Sequence, residues 1–207
     1  MKIGVLGGTF DPIHLGHMSI ADNAVKDLAL DRVIFIPAGP SAHKSKQFSS
    51  DYDRLKMVEL AIEDKKNYFI EDYEINKKTK SYSYETMKYL LDKYPKDEIY
   101  FLIGEDSLLA IENWYRWKDF LSMTNLAVYR RPDSDDRQAD MQVKKMLSLG
   151  YKVKLFEGDS LDISSTKIRQ QVSLNEDISS YVSEKVNKYI RENKLYRSIN
   201  KEDLYEK

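Results

Sequence analysis

The densest chemistry in the sequence lies in Gly7-Gly8-Thr9-Phe10-Asp11-Pro12-Ile13-His14-Leu15-Gly16-His17. Two successive glycines let a backbone approach a ligand with no side chain between them. Amides left free at such a turn, or at the start of a helix, suit an anionic phosphate. His14 and His17 share one face of a helix that begins near Ile13, and Gly16 between them leaves room for another group to come close. Two imidazoles aimed at one point donate hydrogen bonds to phosphate oxygens as charge builds in a transition state. Zinc is the poorer reading, because the two histidines have no third ligand nearby and the chain has no cysteine.

Near the other end, Ile163-Ser164-Ser165-Thr166-Lys167-Ile168-Arg169 reads as a helix start. Its hydroxyls suit the cap, and Arg169 falls on the same face as Ser165. Hydroxyls, amides and a guanidinium together make a triphosphate clamp. Between the two motifs, His43-Lys44 follows Pro37-Ala38-Gly39-Pro40, a basic pair on a loop able to close over a phosphate. The chain's 3 histidines thus all fall in phosphate-binding candidates. Ser81-Tyr82-Ser83-Tyr84-Glu85-Thr86 begins a helix, Gly104-Glu105-Asp106 follows a strand, and Trp114-Tyr115 offers aromatic faces.

His14-Leu15-Gly16-His17 resembles the His-x-Gly-His hallmark of a nucleotidyltransferase superfamily. Within it, the whole run from Gly7 is similar to that of the bacterial nicotinate-nucleotide adenylyltransferases. Ile163 to Arg169 resembles that family's second motif at every fixed position, and the likeness runs from Lys2 to about Tyr196. The resemblance implies that ATP and nicotinate mononucleotide give nicotinate adenine dinucleotide and pyrophosphate, in NAD biosynthesis. It implies His14 and His17 as catalytic groups at the α-phosphate, aligned by Gly7, Gly8, Thr9 and Phe10. Ser164, Ser165, Thr166 and Arg169 would hold the β- and γ-phosphates, with Gly104 and Asp106 at the adenosine. For nicotinate mononucleotide it implies His43 and Lys44 at the phosphate, with Tyr82, Thr86, Trp114 and Tyr115 about the ring. Magnesium is implied as a bridge between phosphates, not as an ion in a protein cage. The family often has Glu-x-x-Arg where this chain has Glu74-Ile75-Asn76-Lys77. Lysine there lacks the two-pronged bond of arginine.

The elements needed to position these groups are legible as alternating strands and helices. Apolar runs at Ile3–Leu6, Arg32–Ile36, Ile99–Ile103, Leu126–Tyr129 and Val153–Phe156 read as buried strands, and Tyr68–Ile75 as extended. Helical patterns run over Leu15–Leu28, Tyr52–Glu63, Tyr84–Leu91, Leu108–Leu121, Asp136–Leu149, Ser164–Gln171 and Ser183–Arg191. In the Tyr52–Glu63 helix, Leu55, Val58, Leu60 and Ile62 read as the apolar positions. Such alternation predicts an α/β fold: a Rossmann-like, doubly wound parallel sheet with helices on both faces and a small helical part at about 160–197. Ligands of such sheets bind beyond the strands' carboxyl ends, where Gly7-Gly8 and Gly104 stand. We read 1–197 as one nucleotidyltransferase domain and 198–207 as a charged tail. Ser41–Ser50, Arg131–Asp140 and the residues after Asn200 read as the most mobile.

The bulk numbers narrow the partners. The 207 residues carry 33 basic and 34 acidic side chains, for a net charge of −1. That balance gives no long-range field to attract nucleic acid. No stretch approaches a membrane span, the first residues do not read as a signal peptide, and a cysteine-free chain suits the cytoplasm. A homodimer stays open. Two other functions compete: another transferase of the superfamily, such as a phosphopantetheine adenylyltransferase or a cytidylyltransferase, and a catalytically silent nucleotide-binding regulator. The first need not have Ser81–Thr86 or Trp114-Tyr115, and the second has no chemical need for His14, His17 and Arg169.

Overall fold

The computed structural model describes residues 1–39, 47–77, 79–130, 137–158 and 163–197. His43, Lys44, the tail at 198–207 and most of the segments expected to be mobile lie outside the described residues. Six strands form one parallel sheet: β1 (Lys2–Gly8), β2 (Arg32–Pro37), β3 (Tyr68–Ile70), β4 (Glu98–Gly104), β5 (Asn125–Arg130) and β6 (Lys152–Glu157). Their order is β3-β2-β1-β4-β5-β6. The helices are α1 (Leu15–Leu28), α2 (Asp51–Ile62), α3 (Tyr73–Asn76), α4 (Ser83–Lys93), α5 (Glu105–Leu109), α6 (Trp117–Met123), α7 (Arg137–Ser148), α8 (Ser165–Ser173) and α9 (Glu184–Glu192).

The strands are apolar on both sides because both faces are covered. Leu6, Val33, Phe35, Leu102 and Ala127 pack with Met18 and Ala21 of α1, Met57 and Val58 of α2, Ile168 of α8, and Val186 and Ile190 of α9. Alternate residues Val5, Ile34, Ile36, Phe101, Ile103 and Val128 pack with Met87 and Leu90 of α4, Phe120 of α6, and Val143 and Met146 of α7. The chain crosses from the first face to the second between β3 and β4. It therefore winds outward from β1 in both directions. The strand order reverses between β1 and β4, and the space beyond their carboxyl ends is where such sheets take nucleotides. Leu6 pairs with Leu102, which sets Gly8 level with Gly104 at that end.

Most expected elements form, with four departures. Tyr68–Ile75 is extended only to Ile70, and Tyr73–Asn76 is a helical turn. Leu108–Leu121 is not one helix but α5, a 3₁₀ turn at Ile111–Asn113, and α6. Trp114 is extended there and Arg116 is left-handed (φ 53°), with its guanidinium 4.3 Å from the Tyr84 ring centre. Neither glycine nor proline marks that break, so packing causes it. On α2 the buried residues are Arg54, Met57, Val58 and Ile62, whereas Leu55 and Leu60 are only half-buried. Finally, β6 is a sheet edge with Lys152, Lys154 and Leu155 exposed, so it is not the buried strand its apolar residues suggested.

Candidate active site

The glycine turn closes β1, and His14 caps the helix that follows. His14 is extended (φ −144°, ψ 170°) and α1 begins at Leu15. The two imidazoles stack, with ring centres 3.7 Å apart and planes 27° from parallel. His17 Nδ1 accepts the His14 backbone N–H at 3.3 Å. That leaves the neutral His17 ring its proton on Nε2, a donor. His14 Nδ1 lies over the first turn, 3.0 Å from where a Gly16 Cβ would stand, and makes no hydrogen bond among the described residues. The free amides of a helix start disfavour a proton there, so the His14 proton also belongs on Nε2. A Cβ at Gly16 would thus crowd the His14 ring, which would have to give by a few tenths of an ångström. Burial lowers the His14 pKa from 6.5 to about 4. His14 is therefore a neutral donor at any ordinary pH, free of the cost of a buried charge.

Carbonyls of the turn are held from below. Phe10 is left-handed (φ 50°), buried, and edge-on to His17 at 5.0 Å. This orientation gives the Phe10 side chain a packing role. Arg54, wholly buried on α2, donates to the Thr9 carbonyl at 2.7 Å and to Asp51 at 2.5 Å. Arg169 of α8 donates to the Asp11 carbonyl at 2.8 Å and to Thr166 Oγ1 at 3.1 Å, and its guanidinium lies 4.2 Å over the Phe48 ring. Ser165 Oγ donates to the Pro12 carbonyl at 2.9 Å. Ser164 caps α8, accepting from the Lys167 N–H at 3.2 Å. The two candidate phosphate motifs, 158 residues apart for Asp11 and Arg169, are thus bonded to each other. Burial lowers the Arg169 pKa, against the opposing pull of Asp11. Nη1 and Nη2 of Arg169 bond the Asp11 carbonyl and Thr166 Oγ1, whereas its Nε is buried with no hydrogen-bond partner among the described residues.

A second group of residues lies on the β2 side. Ala38 N–H donates to the Gly8 carbonyl at 2.8 Å, which carries the chain after β2 past the glycine turn. Gly39 presses on α3 so closely that a Cβ would stand 2.0 Å from the Glu74 carbonyl oxygen. Thr86 is buried and donates to Glu74 Oε1 at 2.6 Å. Its one hydroxyl proton is therefore committed to Glu74. Burial raises the Glu74 pKa, against hydrogen bonds from Thr86 and the Gly39 backbone. Lys77 pairs with Glu85. Tyr82, capping α4, meets the exposed Tyr115 with ring centres 4.5 Å apart. Trp114 is half-buried and packs on Phe101 and Phe120, so one face belongs to the core. Gly104 has open space where a Cβ would stand, and Asp106 is exposed on the first turn of α5.

Comparison with known proteins settles the lineage of this arrangement. A family profile described as cytidylyltransferase-like matches residues 5–171, which span both phosphate motifs. The chain belongs to the cytidylyltransferase-like family. A probable nicotinate-nucleotide adenylyltransferase of Clostridium botulinum (strain Hall) is 38% identical over 196 residues, covering 93% of this chain and 98% of that one. A probable nicotinate-nucleotide adenylyltransferase of Shewanella frigidimarina is 37% identical over 211 residues, covering 95% and 100%. Within the family, the chain groups with these adenylyltransferases over nearly its whole length. The fold also matches a Plasmodium falciparum nicotinic acid mononucleotide adenylyltransferase complexed with NaAD, at a TM-score of 0.77 and 20% identity, covering 94% of this chain and 97% of that one.

Several members of the family's site in this chain are silent in the motifs. Asp11, Phe48, Ser49, Arg54 and Tyr196 support the groups above without having been given a role from the sequence, and Glu74, noted there only beside Lys77, holds Thr86. Arg54 did leave a signal: it occupies the i position of an i, i+3, i+4, i+8 stripe completed by Met57, Val58 and Ile62. An arginine on the apolar stripe of a helix has a buried partner to meet.

Proposed function

We propose that this chain transfers the adenylyl group of ATP to nicotinate mononucleotide, giving nicotinate adenine dinucleotide and pyrophosphate, and that residues 1–197 form its one catalytic domain. The observation that carries the residue assignment is the stacked His14–His17 pair on the same short segment whose Asp11 carbonyl seats Arg169. The acceptor is a phosphate monoester and already anionic, so no protein nucleophile or strong base is required. Its oxygen attacks the α-phosphorus in line; the bond to the β-phosphate oxygen breaks, and pyrophosphate leaves with that electron pair. His14 and His17 stabilise the α-phosphate oxygens through neutral N–H donors, aligned by the amides of Gly8, Thr9 and Phe10. Ser164, Ser165, Thr166 and Arg169 hold the departing β- and γ-phosphates. Catalysis is positioning plus charge stabilisation.

On the acceptor side, Tyr82, Trp114 and Tyr115 flank the nicotinate ring. Thr86 acts by fixing Glu74 and the start of α4, leaving backbone amides to meet the ring's carboxylate. Gly104 and Asp106 serve the adenosine. His43 and Lys44 would meet the acceptor phosphate. Magnesium, which the family resemblance implies, would be carried by ATP and would offset phosphate charge, while Ser164, Ser165, Thr166 and Arg169 hold the phosphates. A cytoplasmic enzyme is the reading that fits the resemblance to the bacterial nicotinate-nucleotide adenylyltransferases and the cysteine-free chain. The test is pyrophosphate release from ATP with nicotinate mononucleotide. We expect His17→Ala to lower turnover by roughly 100- to 1000-fold. Near-normal turnover would refute the mechanism, and equal efficiency on the nicotinamide mononucleotide would refute the substrate.

A further inference from the structure

Asp11 is the most heavily bonded side chain near the proposed phosphate site, and it touches no part of the chemistry assigned above. It is 2% exposed. Oδ2 accepts the Phe48 N–H at 2.7 Å and the Ser49 N–H at 3.4 Å. Oδ1 accepts Ser49 Oγ at 2.5 Å and the Tyr196 hydroxyl at 2.7 Å. Its own carbonyl accepts Arg169, and Arg169 lies on the ring of Phe48. One residue therefore fixes both the seat and the backing of the proposed grip on the leaving group.

The Tyr196 contact is reached at a cost. After α9 the chain turns inward through two non-glycine residues in the left-handed region, Lys194 (φ 53°) and Tyr196 (φ 62°), a conformation L side chains resist. Tyr196 is 4% exposed, and burial raises its pKa, so the hydroxyl stays a donor at working pH. Apolar packing alone would be met equally by a phenylalanine. What the hydroxyl adds is chiefly the 2.7 Å bond to Asp11, beside longer contacts with Ser49 Oγ at 3.3 Å and Met57 Sδ at 3.9 Å.

We infer that Tyr196 is a positioning residue for pyrophosphate: through the Asp11 carboxylate its hydroxyl fixes the carbonyl on which Arg169 is seated. This rests on the reading of Arg169 as the pyrophosphate grip, and the test separates the two. Binding of inorganic pyrophosphate with magnesium, and separately of nicotinate mononucleotide, is measured by calorimetry for the full chain, Tyr196→Phe, Arg169→Ala and the double variant. Tyr196→Phe should weaken pyrophosphate about 10-fold, less than the roughly 100-fold that a full ångström of misplacement can cost in rate. Nicotinate mononucleotide should bind within about 2-fold of the parent chain. In the Arg169→Ala background, Tyr196→Phe should change pyrophosphate binding no further, because residues acting through one another are not additive.

Pyrophosphate affinity unchanged in Tyr196→Phe, while Arg169→Ala loses it, overturns the inference and leaves the grip intact. An equal loss for both ligands makes Tyr196 merely structural and also overturns it. Unchanged pyrophosphate binding in Arg169→Ala takes down the grip and the inference together.

Discussion

Replacing Gly16 by alanine adds one methyl group where the His14 ring already lies. The new Cβ would stand 3.0 Å from His14 Nδ1 and 3.1 Å from Cε1, with the Ile163 Cβ at 3.8 Å, so the ring must give by a few tenths of an ångström. It cannot do so privately, because it is stacked on His17 at 3.7 Å. The backbone pulls the other way. Gly16 is the second residue of α1, and alanine in a helix is favoured over glycine by at most about 1 kcal/mol, worth roughly 2–4 °C in a chain of this size. The two effects oppose in stability and do not oppose in rate. Gly16→Ala should therefore fold, melt within about 4 °C of the parent chain, and lose about 3- to 10-fold in kcat, scaled down from the roughly 100-fold cost of a full ångström. Its KM for nicotinate mononucleotide should hold. Thermal melts and steady-state pyrophosphate release read both quantities. A kcat equal to the parent's would refute the claim that the position of the His14 ring sets the barrier.

Three further outcomes follow from the same geometry. Burial keeps the native His14 neutral to about pH 4, whereas the unfolded chain takes its proton near 6.5. The unfolded state thus binds more protons in that window, and His14 costs stability as pH falls from about 6.5 to 4, by about 2 kcal/mol at pH 5. Urea titrations at pH 7.5 and 5 should show a smaller acid loss in His14→Asn; an identical loss would count against a buried neutral imidazole. Arg54→Met should destabilise by roughly 2–3 kcal/mol, since it strips the Thr9 carbonyl of a charged donor at 2.7 Å, and a urea midpoint within error of the parent would contradict that role. Arg169→Lys keeps the charge but not the fork that spans Asp11 O and Thr166 Oγ1, so kcat/KM for ATP should fall about 10-fold or more, and full activity would show that charge alone suffices.

Much of the fold was readable because a buried parallel sheet writes itself as apolar runs ended by glycine, as at Gly7-Gly8 and Gly104. The proposed catalytic pair was legible as two histidines three residues apart after such a turn, and the structure stacks their rings, with His14 as the cap of α1 and not within it. What escaped was of another kind. The face of α2 was misjudged because apolar residues were counted as the buried ones, while an arginine holds the buried position at 54. The break at Trp114–Arg116 escaped because left-handed Arg116 is stabilised by the distant Tyr84 ring, and no local residue announces it. Thr86 was placed beside the ligand by its motif, yet its proton goes to Glu74.

These cases share a cause. A motif records residue types along the chain, whereas a supporting residue is defined by what it meets across space. Asp11 illustrates this within the most legible motif of all. It sits between the glycines and the histidines, but its carboxylate turns away from them, toward Ser49 and Tyr196. The residues that do chemistry had to be of particular types in a particular order. Those that hold them could come from anywhere the fold brings a donor, and in this chain that includes the turn beyond the last described helix.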